Sequence, residues 1–102
     1  MAHRFLVSVV DDDESVRESL PDLLDEFGFV GKTFASSEAL LASGILEHTH
    51  CLILDVALPG MSGPTLKREL NRRGLDIPTI FITGQGDDGI RARVLRQGAI
   101  EC

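Results

Sequence analysis

The chain lacks the features that mark membrane and secreted proteins. No apolar run approaches the roughly 20 residues that a membrane-spanning helix needs. The N-terminal segment becomes acidic too soon for a signal peptide. Two cysteines are too few for the disulfide framework of a small secreted domain. We therefore expect a cytoplasmic protein that makes no contact with a membrane.

The chain also lacks an excess of basic residues. Sixteen acidic residues against ten basic ones give a net charge of −6. A basic patch is the electrostatic footprint of nucleic-acid binding, so we expect no direct contact between this stretch and nucleic acid. A chain of 102 residues with 43% hydrophobic residues can bury one modest core. The sequence therefore predicts a single domain over residues 1–102.

Short apolar segments alternate along the chain with longer segments whose apolar residues recur every three or four positions. The first pattern is typical of strands and the second of helices. Strict alternation of the two predicts an α/β fold, a doubly wound parallel sheet with right-handed crossovers and helices on both faces. We expect the flavodoxin-like strand order 2-1-3-4-5. The predicted strands are 5–10, 29–35, 52–56, 77–83 and an incomplete fifth strand from Ala99.

Four helices are predicted between these strands. The first has Asp13 or Ser15 as its N-cap, contains Pro21, which should kink its axis, and ends at Gly28. The second is a short helix capped by Ser36 or Ser37. The third begins at Pro64 and ends at Gly74. Residues predicted to face the core are Val16, Leu20, Leu23, Leu24 and Phe27 in the first helix, Leu66 and Leu70 in the third, and Ile90, Val94 and Leu95 in the fourth. Residues of the third helix predicted to face solvent are Lys67, Arg68, Arg72 and Arg73.

Acidic residues follow two of the predicted strands at the point where each strand ends. Asp11 and Asp12 follow the first strand, and Asp55 lies at the end of the third. These strands are neighbours in the order 2-1-3-4-5, so the three carboxylates should converge at one edge of the sheet. Clustered carboxylates repel one another unless a cation joins them, and an all-oxygen site favours Mg²⁺. One interpretation explains these features: a Mg²⁺ site where Asp55 accepts a phosphoryl group and Thr83 lies on the neighbouring strand.

Other interpretations of the same residues remain open. An acidic run after a strand is often a solvated helix cap, which suits Asp13 and Glu14. A hydrolase with an aspartyl nucleophile typically carries a second aspartate two residues later, where this chain has Ala57. Neither glycine-rich phosphate-binding pattern is present. The tract 48–51 contains two histidines and a cysteine, but it precedes a strand and has no second ligand cluster, which disfavours a soft-metal site.

Four motifs, VVDDDE, LDVALPGMSG, PTIFITGQGD and RQGAIE, resemble the receiver domain of two-component response regulators. The resemblance spans nearly the whole chain and is greatest to the receivers of nitrogen-fixation regulators and their relatives. It implies a flavodoxin-like (CheY-like) fold in which Asp55 is the phosphoacceptor and Thr83 the switch hydroxyl. The implied ligands of Mg²⁺ (or Mn²⁺) are Asp12 directly, Asp11 often through water, Asp55, and the backbone carbonyl of Ala57.

The resemblance also implies partners and a missing segment. The implied partners are a sensor histidine kinase, a DNA-binding output domain and a second copy in a homodimer. The family's lysine and its last helix would lie beyond Cys102, so residues 1–102 would be a receiver domain truncated at its C-terminal side. Cys102 occupies the position of the family's aromatic switch residue, and Gln85 lies where the family varies residues that tune phosphorylation. The alternative is therefore a receiver fold that no longer switches and serves only as a dimerisation or docking module.

Overall fold

The computed structural model describes residues 5–83 and 93–95, which form a sheet with helices on its two faces. No helix in this part of the chain is long and apolar enough to cross a membrane. A single 3-10 turn, Leu46–His48, precedes the third strand. The strands are β1 (Phe5–Val10), β2 (Phe29–Phe34), β3 (Cys51–Asp55), β4 (Thr79–Thr83) and β5 (Arg93–Leu95). The helices are α1 (Glu14–Glu26), α2 (Ser37–Ala42) and α3 (Gly63–Arg72).

The strands β1 to β4 form the predicted parallel sheet in the order β2-β1-β3-β4. Val10, at the end of β1, is paired with Phe34 of β2 on one side and with Leu54 of β3 on the other. The ends of β1 and β3 therefore lie side by side at the same edge of the sheet. This arrangement confirms the predicted strand order for the four parallel strands.

The segment Arg93–Leu95 differs from the sequence prediction. It is a strand that runs antiparallel to β4 and pairs Leu95 with Phe81, whereas we predicted a fourth helix containing Val94 and Leu95. That prediction is wrong for these three residues. The outer edge of β4 would otherwise present unpaired backbone groups, and pairing with β5 satisfies them. The predicted fifth strand from Ala99 lies outside the described residues.

Each helix begins where a side chain can satisfy a free backbone N–H group. Asp13, Ser36 and Ser62 cap α1, α2 and α3, and each side chain accepts a hydrogen bond from an amide two or three residues later. Such caps typically stabilise a helix by about 1 kcal/mol. Pro64 lies in the first turn of α3, where its missing N–H group costs nothing. The predicted starts of α1, α2 and α3 are therefore confirmed.

The larger core lies on the face of the sheet that α2 and α3 cover. Leu66 and Leu70 of α3 are fully buried there, as predicted. They pack in one cluster with Leu52 and Leu54 of β3 and Phe81 of β4. This cluster holds β3, and with it Asp55, between α3 and the neighbouring strands.

The opposite face of the sheet is covered by α1. Leu20 and Leu24 pack there against a cluster that includes the buried Val7. Leu23 and Phe27 were also predicted to face the core, but they are 48% and 68% exposed. The prediction is wrong for these two residues because the five-residue stripe is wider than the strip of α1 that contacts the sheet.

Lys67 is buried although the sequence predicted that it faces solvent. Its side chain is 7% exposed, and its Nζ donates a hydrogen bond of 2.6 Å to the carbonyl of Ile77, at the entry to β4. The same carbonyl accepts a second hydrogen bond, of 2.8 Å, from the hydroxyl of Thr79. Burial lowers the pKa of Lys67, and the charge of Asp76 partly offsets this effect. Lys67 thus joins α3 to the start of β4.

Replacing Lys67 should separate the contribution of its stem from that of its charge. Lys67→Met keeps a buried apolar stem and removes a desolvated charge. The Ile77 carbonyl still accepts the hydrogen bond from the Thr79 hydroxyl. We expect it to change the free energy of unfolding by less than about 1 kcal/mol. Lys67→Ala leaves a cavity and should cost about 2 kcal/mol or more. Urea unfolding of both variants checks this, and equal losses would show that the ammonium group itself is required.

Candidate functional site

Three carboxylates meet where β1 and β3 end. Asp55 is the last residue of β3, Asp11 directly follows β1, and Asp12 comes next. The backbone N–H of Asp11 donates to the carbonyl of Phe34, so the pairing of β1 with β2 extends to this residue. One oxygen from each of the three carboxylates lies within 4.8 Å of the others. The predicted convergence of the three acids is therefore present in the structure.

The two inner carboxylates are buried and held in place by backbone amides. Asp11 is 2% exposed and Asp55 7% exposed, whereas Asp12 is exposed. Oδ1 of Asp11 accepts a hydrogen bond of 2.8 Å from the N–H of Asp13. Oδ1 of Asp55 accepts one of 3.1 Å from the N–H of Ala57. Each buried carboxylate is thus oriented by the amide two residues after it.

Burial and mutual repulsion disfavour the charged forms of the inner pair. Burial, together with the charges of Asp55 and Asp12, raises the pKa of Asp11 to about 6 against the opposing hydrogen bond from Asp13. Burial also raises the pKa of Asp55, against the opposing hydrogen bond from Ala57. A cation between these oxygens would relieve the repulsion. The donors are all oxygens and one is open to water, so the cluster can hold a hard divalent cation.

Arg17 supplies a positive charge beside the acidic run. Its guanidinium donates a hydrogen bond of 3.0 Å to the backbone carbonyl of Asp11. Hydrogen bonds from Ser15 lower the pKa of Asp13, and the charge of Arg17 adds to this effect. Arg17 therefore ties the first turn of α1 to the end of β1. Sequence reasoning missed this contact, because arginines are common on solvated helix faces and nothing in the spacing distinguishes this one.

The loop of residues 56–62, called here the β3–α3 loop, folds back against Asp55. The N–H of Val56 donates to the carbonyl of Ile82, which extends the pairing of β3 with β4. A Cβ atom at Gly63 would lie 2.5 Å from the backbone oxygen of Asp55, so only glycine fits without a backbone shift. Leu58 is 5% exposed and anchors the loop in the larger core. The loop therefore has little freedom to move away from the carboxylates.

Two side chains of α2 bind this loop near its end, at Met61. The hydroxyl of Ser37 donates to the carbonyl of Met61 at 2.9 Å, and the N–H of Met61 donates to Oε2 of Glu38 at 3.1 Å. The sequence marked Ser37 only as a candidate helix cap and gave Glu38 no role. The contacts span 24 and 23 residues, so no local spacing rule reveals them.

The remaining predicted site residues are placed only in part. Thr83 is the last residue of β4, one position beyond Ile82, which is paired with Asp55. Its backbone thus lies at the same edge of the sheet as the three acids. Gln85 and Cys102 lie outside the described residues. Ala57 lies in the turn after β3, where the predicted role of its carbonyl stays a prediction.

The histidine tract lies at the other end of β3, as its sequence position indicated. Nδ1 of His50 accepts a hydrogen bond of 2.8 Å from the N–H of Leu6, and its ring stacks on Phe5 with 4.7 Å between ring centroids. The Thr49 hydroxyl lies 2.8 Å from that of Ser8. Among the residues that the structure describes, only the three aspartates form a group of three or more potential metal ligands.

Without a metal ion, the buried Asp11 should make stability depend on pH. Its pKa of about 6 exceeds the ordinary value of 3.8, so between these values the folded chain binds more protons than the unfolded chain. The free energy of unfolding should therefore fall as pH rises through this window. Asp11→Asn should flatten the profile and stabilise the chain at neutral pH on the order of 1 kcal/mol, since solvent near Asp12 screens the effect. Urea unfolding with a chelator checks this, and parallel profiles would contradict it.

Comparison with known proteins matches the chain to one family. The response regulator receiver domain family matches residues 7–102. Nodulation protein W of Bradyrhizobium diazoefficiens is 43% identical over 96 residues, which are 94% of this chain and 42% of that protein. Transcriptional regulatory protein FixJ of Azorhizobium caulinodans is 39% identical over 95 residues, which are 93% of this chain and 45% of that protein. The chain thus spans less than half the length of these two relatives.

A solved structure supports the same assignment. The crystal structure of FixJ-N superimposes on 88% of this chain and 76% of that chain, with a TM-score of 0.70 and 36% sequence identity. The family match covers nearly all of the chain, including both strand ends that carry the three acids. The chain therefore belongs to the response regulator receiver domain family, and receivers of the FixJ type are among its close relatives.

Proposed function

We propose that Asp55 accepts a phosphoryl group from the phosphohistidine of a sensor histidine kinase, or from a small phosphodonor, with Mg²⁺ (or Mn²⁺) at the acidic cluster. The observation that carries the proposal is the convergence of Asp11, Asp12 and Asp55 within 4.8 Å at the end of two neighbouring parallel strands. The donor set fits the metal, since three carboxylates supply hard oxygen ligands and the exposed Asp12 leaves access for water. By family likeness, the carbonyl of Ala57 adds a ligand.

The carboxylate of Asp55 has the environment that a nucleophile needs. In the proposed step a carboxylate oxygen of Asp55 forms a bond to phosphorus, the bond from phosphorus to the donor nitrogen breaks, and its electron pair remains on the imidazole. The N–H of Ala57 holds Oδ1 and so fixes the orientation of the carboxylate. Mg²⁺, when bound, supplies positive charge that offsets the negative charge of the phosphoryl oxygens.

Phosphorylation of Asp55 would change the domain beyond the acidic cluster. Receiver domains are signalling domains rather than classical enzymes, and this one would assist its own phosphorylation and dephosphorylation. The Thr83 hydroxyl would move toward the phosphoryl group and change the surface used for homodimerisation or for contact with an output domain. A DNA-binding output domain is supported by the length of the relatives and by the name of FixJ, a transcriptional regulatory protein. This role places the protein in the cytoplasm.

A second candidate function is a docking or dimerisation module that no longer switches. Cys102 favours it, because it occupies the position where the family usually carries an aromatic switch residue. Such a module has no need of a cation site. Calorimetric titration with Mg²⁺ separates the two functions, since only the phosphoacceptor requires binding that depends on Asp55.

Phosphorylation of Asp55 can be tested with acetyl phosphate and Mg²⁺ on the full-length protein. We expect intact-mass spectrometry to show one phosphoryl group per chain, lost on treatment with hydroxylamine because an acyl phosphate is labile to it. Asp55→Asn should abolish the adduct. Asp22→Asn, the same chemical change at an exposed position of α1, should leave it unchanged.

Beryllofluoride provides a second measurement of the same site, since it mimics a bound phosphoryl group. Fluorine NMR should show a bound signal that requires Mg²⁺ and is absent in Asp55→Asn. A wild-type protein with neither adduct nor bound signal, or an adduct that persists in Asp55→Asn, would overturn the proposed function.

A further inference from the structure

We propose that Ser37 and Glu38 are positioning residues for the acceptor site: they hold the β3–α3 loop so that Ala57 and Asp55 keep the geometry that binds the cation. This inference rests on the proposed function and assigns it two residues outside the acidic cluster. It concerns residues that neither bind the cation nor react.

The pair binds both backbone groups of a single loop residue. The Ser37 hydroxyl donates to the carbonyl of Met61, and Glu38 accepts from the N–H of Met61, at 2.9 and 3.1 Å. Ser37 is fully buried and Glu38 is exposed. With both groups held from one side, neither peptide plane that flanks Met61 can rotate without loss of a hydrogen bond.

The helix that carries Ser37 and Glu38 is itself held in place. Ser36 caps α2 by accepting a hydrogen bond of 3.0 Å from the N–H of Ala39. Leu40, in the next turn of α2, is fully buried in the larger core. Although α2 is short, its cap and its buried Leu40 hold it against the core. Ser37 and Glu38 therefore contact Met61 from a fixed helix.

Gly60 makes room for the carboxylate of Glu38. Its φ is +74°, a conformation that favours glycine, and a Cβ atom there would lie 2.8 Å from Oε2 of Glu38. A side chain at position 60 would thus displace the oxygen that binds Met61. The loop and the start of α2 are fitted to one another at this point.

The first residues of the β3–α3 loop are bound to Asp55. Ala57 donates to Oδ1 of Asp55, and the N–H of Gly63 donates to the carbonyl of Val56 at 3.4 Å, which closes the loop on itself. Met61 lies between these two contacts. Three residues separate Met61 from Ala57: Leu58 is buried in the larger core and the ring of Pro59 restricts its φ, so this segment has few ways to absorb a displacement at Met61. Loss of the Glu38 contact should therefore disturb the hydrogen bond between Ala57 and Asp55.

Variants of Glu38 separate a positioning role from an effect of charge. Glu38→Ala removes the acceptor and the charge. Glu38→Gln removes only the charge, because an amide oxygen still accepts from Met61. Glu47→Ala is the matched control: Glu47 is also exposed, but it lies in the 3-10 turn before β3, at the opposite end of that strand from Asp55.

The affinity for Mg²⁺ is the first measurement, by calorimetry on the full-length protein. Glu38→Ala should weaken binding about tenfold, because it disturbs the Ala57 amide that orients Asp55, and loss of such a partner of a metal ligand costs roughly 10- to 100-fold. Glu38→Gln and Glu47→Ala should remain close to wild type. Equal losses in Glu38→Ala and Glu38→Gln, or no loss in either, would overturn the proposal.

Amide hydrogen exchange is the second measurement and needs neither metal nor phosphorylation. Glu38→Ala should accelerate exchange at the N–H of Met61 and also at that of Ala57, whereas Glu38→Gln should change neither. Faster exchange at Met61 with no change at Ala57 would mean that the pair holds only the loop, which overturns the positioning role. A wild-type protein that binds no Mg²⁺ would instead overturn the proposed function, while exchange at Ala57 still reports on the link to Asp55.

Discussion

The structure depends on holding three like charges together at the edge of a parallel sheet. Burial and repulsion both oppose the charged forms of Asp11 and Asp55, as the raised pKa values of the two carboxyls show. The register of β1 against β3 nevertheless makes their meeting unavoidable, since Val10 is paired with Leu54 and each acid is the next residue. The free-energy cost of burying these charges together is confined to the cluster, and a cation that joins the oxygens would offset the repulsion.

The elements around the cluster hold that arrangement in place. Gly63 lets α3 begin against the backbone of Asp55, Leu58 fixes the β3–α3 loop in the core, and Met61 is bound by two side chains of α2. Backbone amides rather than side chains orient both buried carboxylates. The site is therefore built largely from main-chain geometry, with α2 as its outer support.

The sequence predicted what local patterns determine and missed what distant contacts determine. The apolar segments located the four parallel strands, and their order placed Asp11, Asp12 and Asp55 together, because every parallel strand presents its end at the same edge. The antiparallel pairing of Arg93–Leu95, the burial of Lys67 and the contacts of Glu38 with Met61 each depend on a partner remote in the chain. Exposed Leu23 and Phe27 show a related limit, since periodicity gives the direction of a helix face but not the width that its neighbour covers.

The pairing of β1 with β3 has a consequence for folding kinetics. Asp11 and Asp55 are separated in the chain by α1, β2 and α2, so the pairing of β1 with β3 closes a long loop. Pairings between strands far apart in the chain form slowly, because the chain loses conformational entropy on closing the loop before the strand contacts stabilise it. In a partly folded chain the acids are apart and do not repel one another. The cluster therefore requires the pairing of β1 with β3, which makes it a marker of a formed sheet centre.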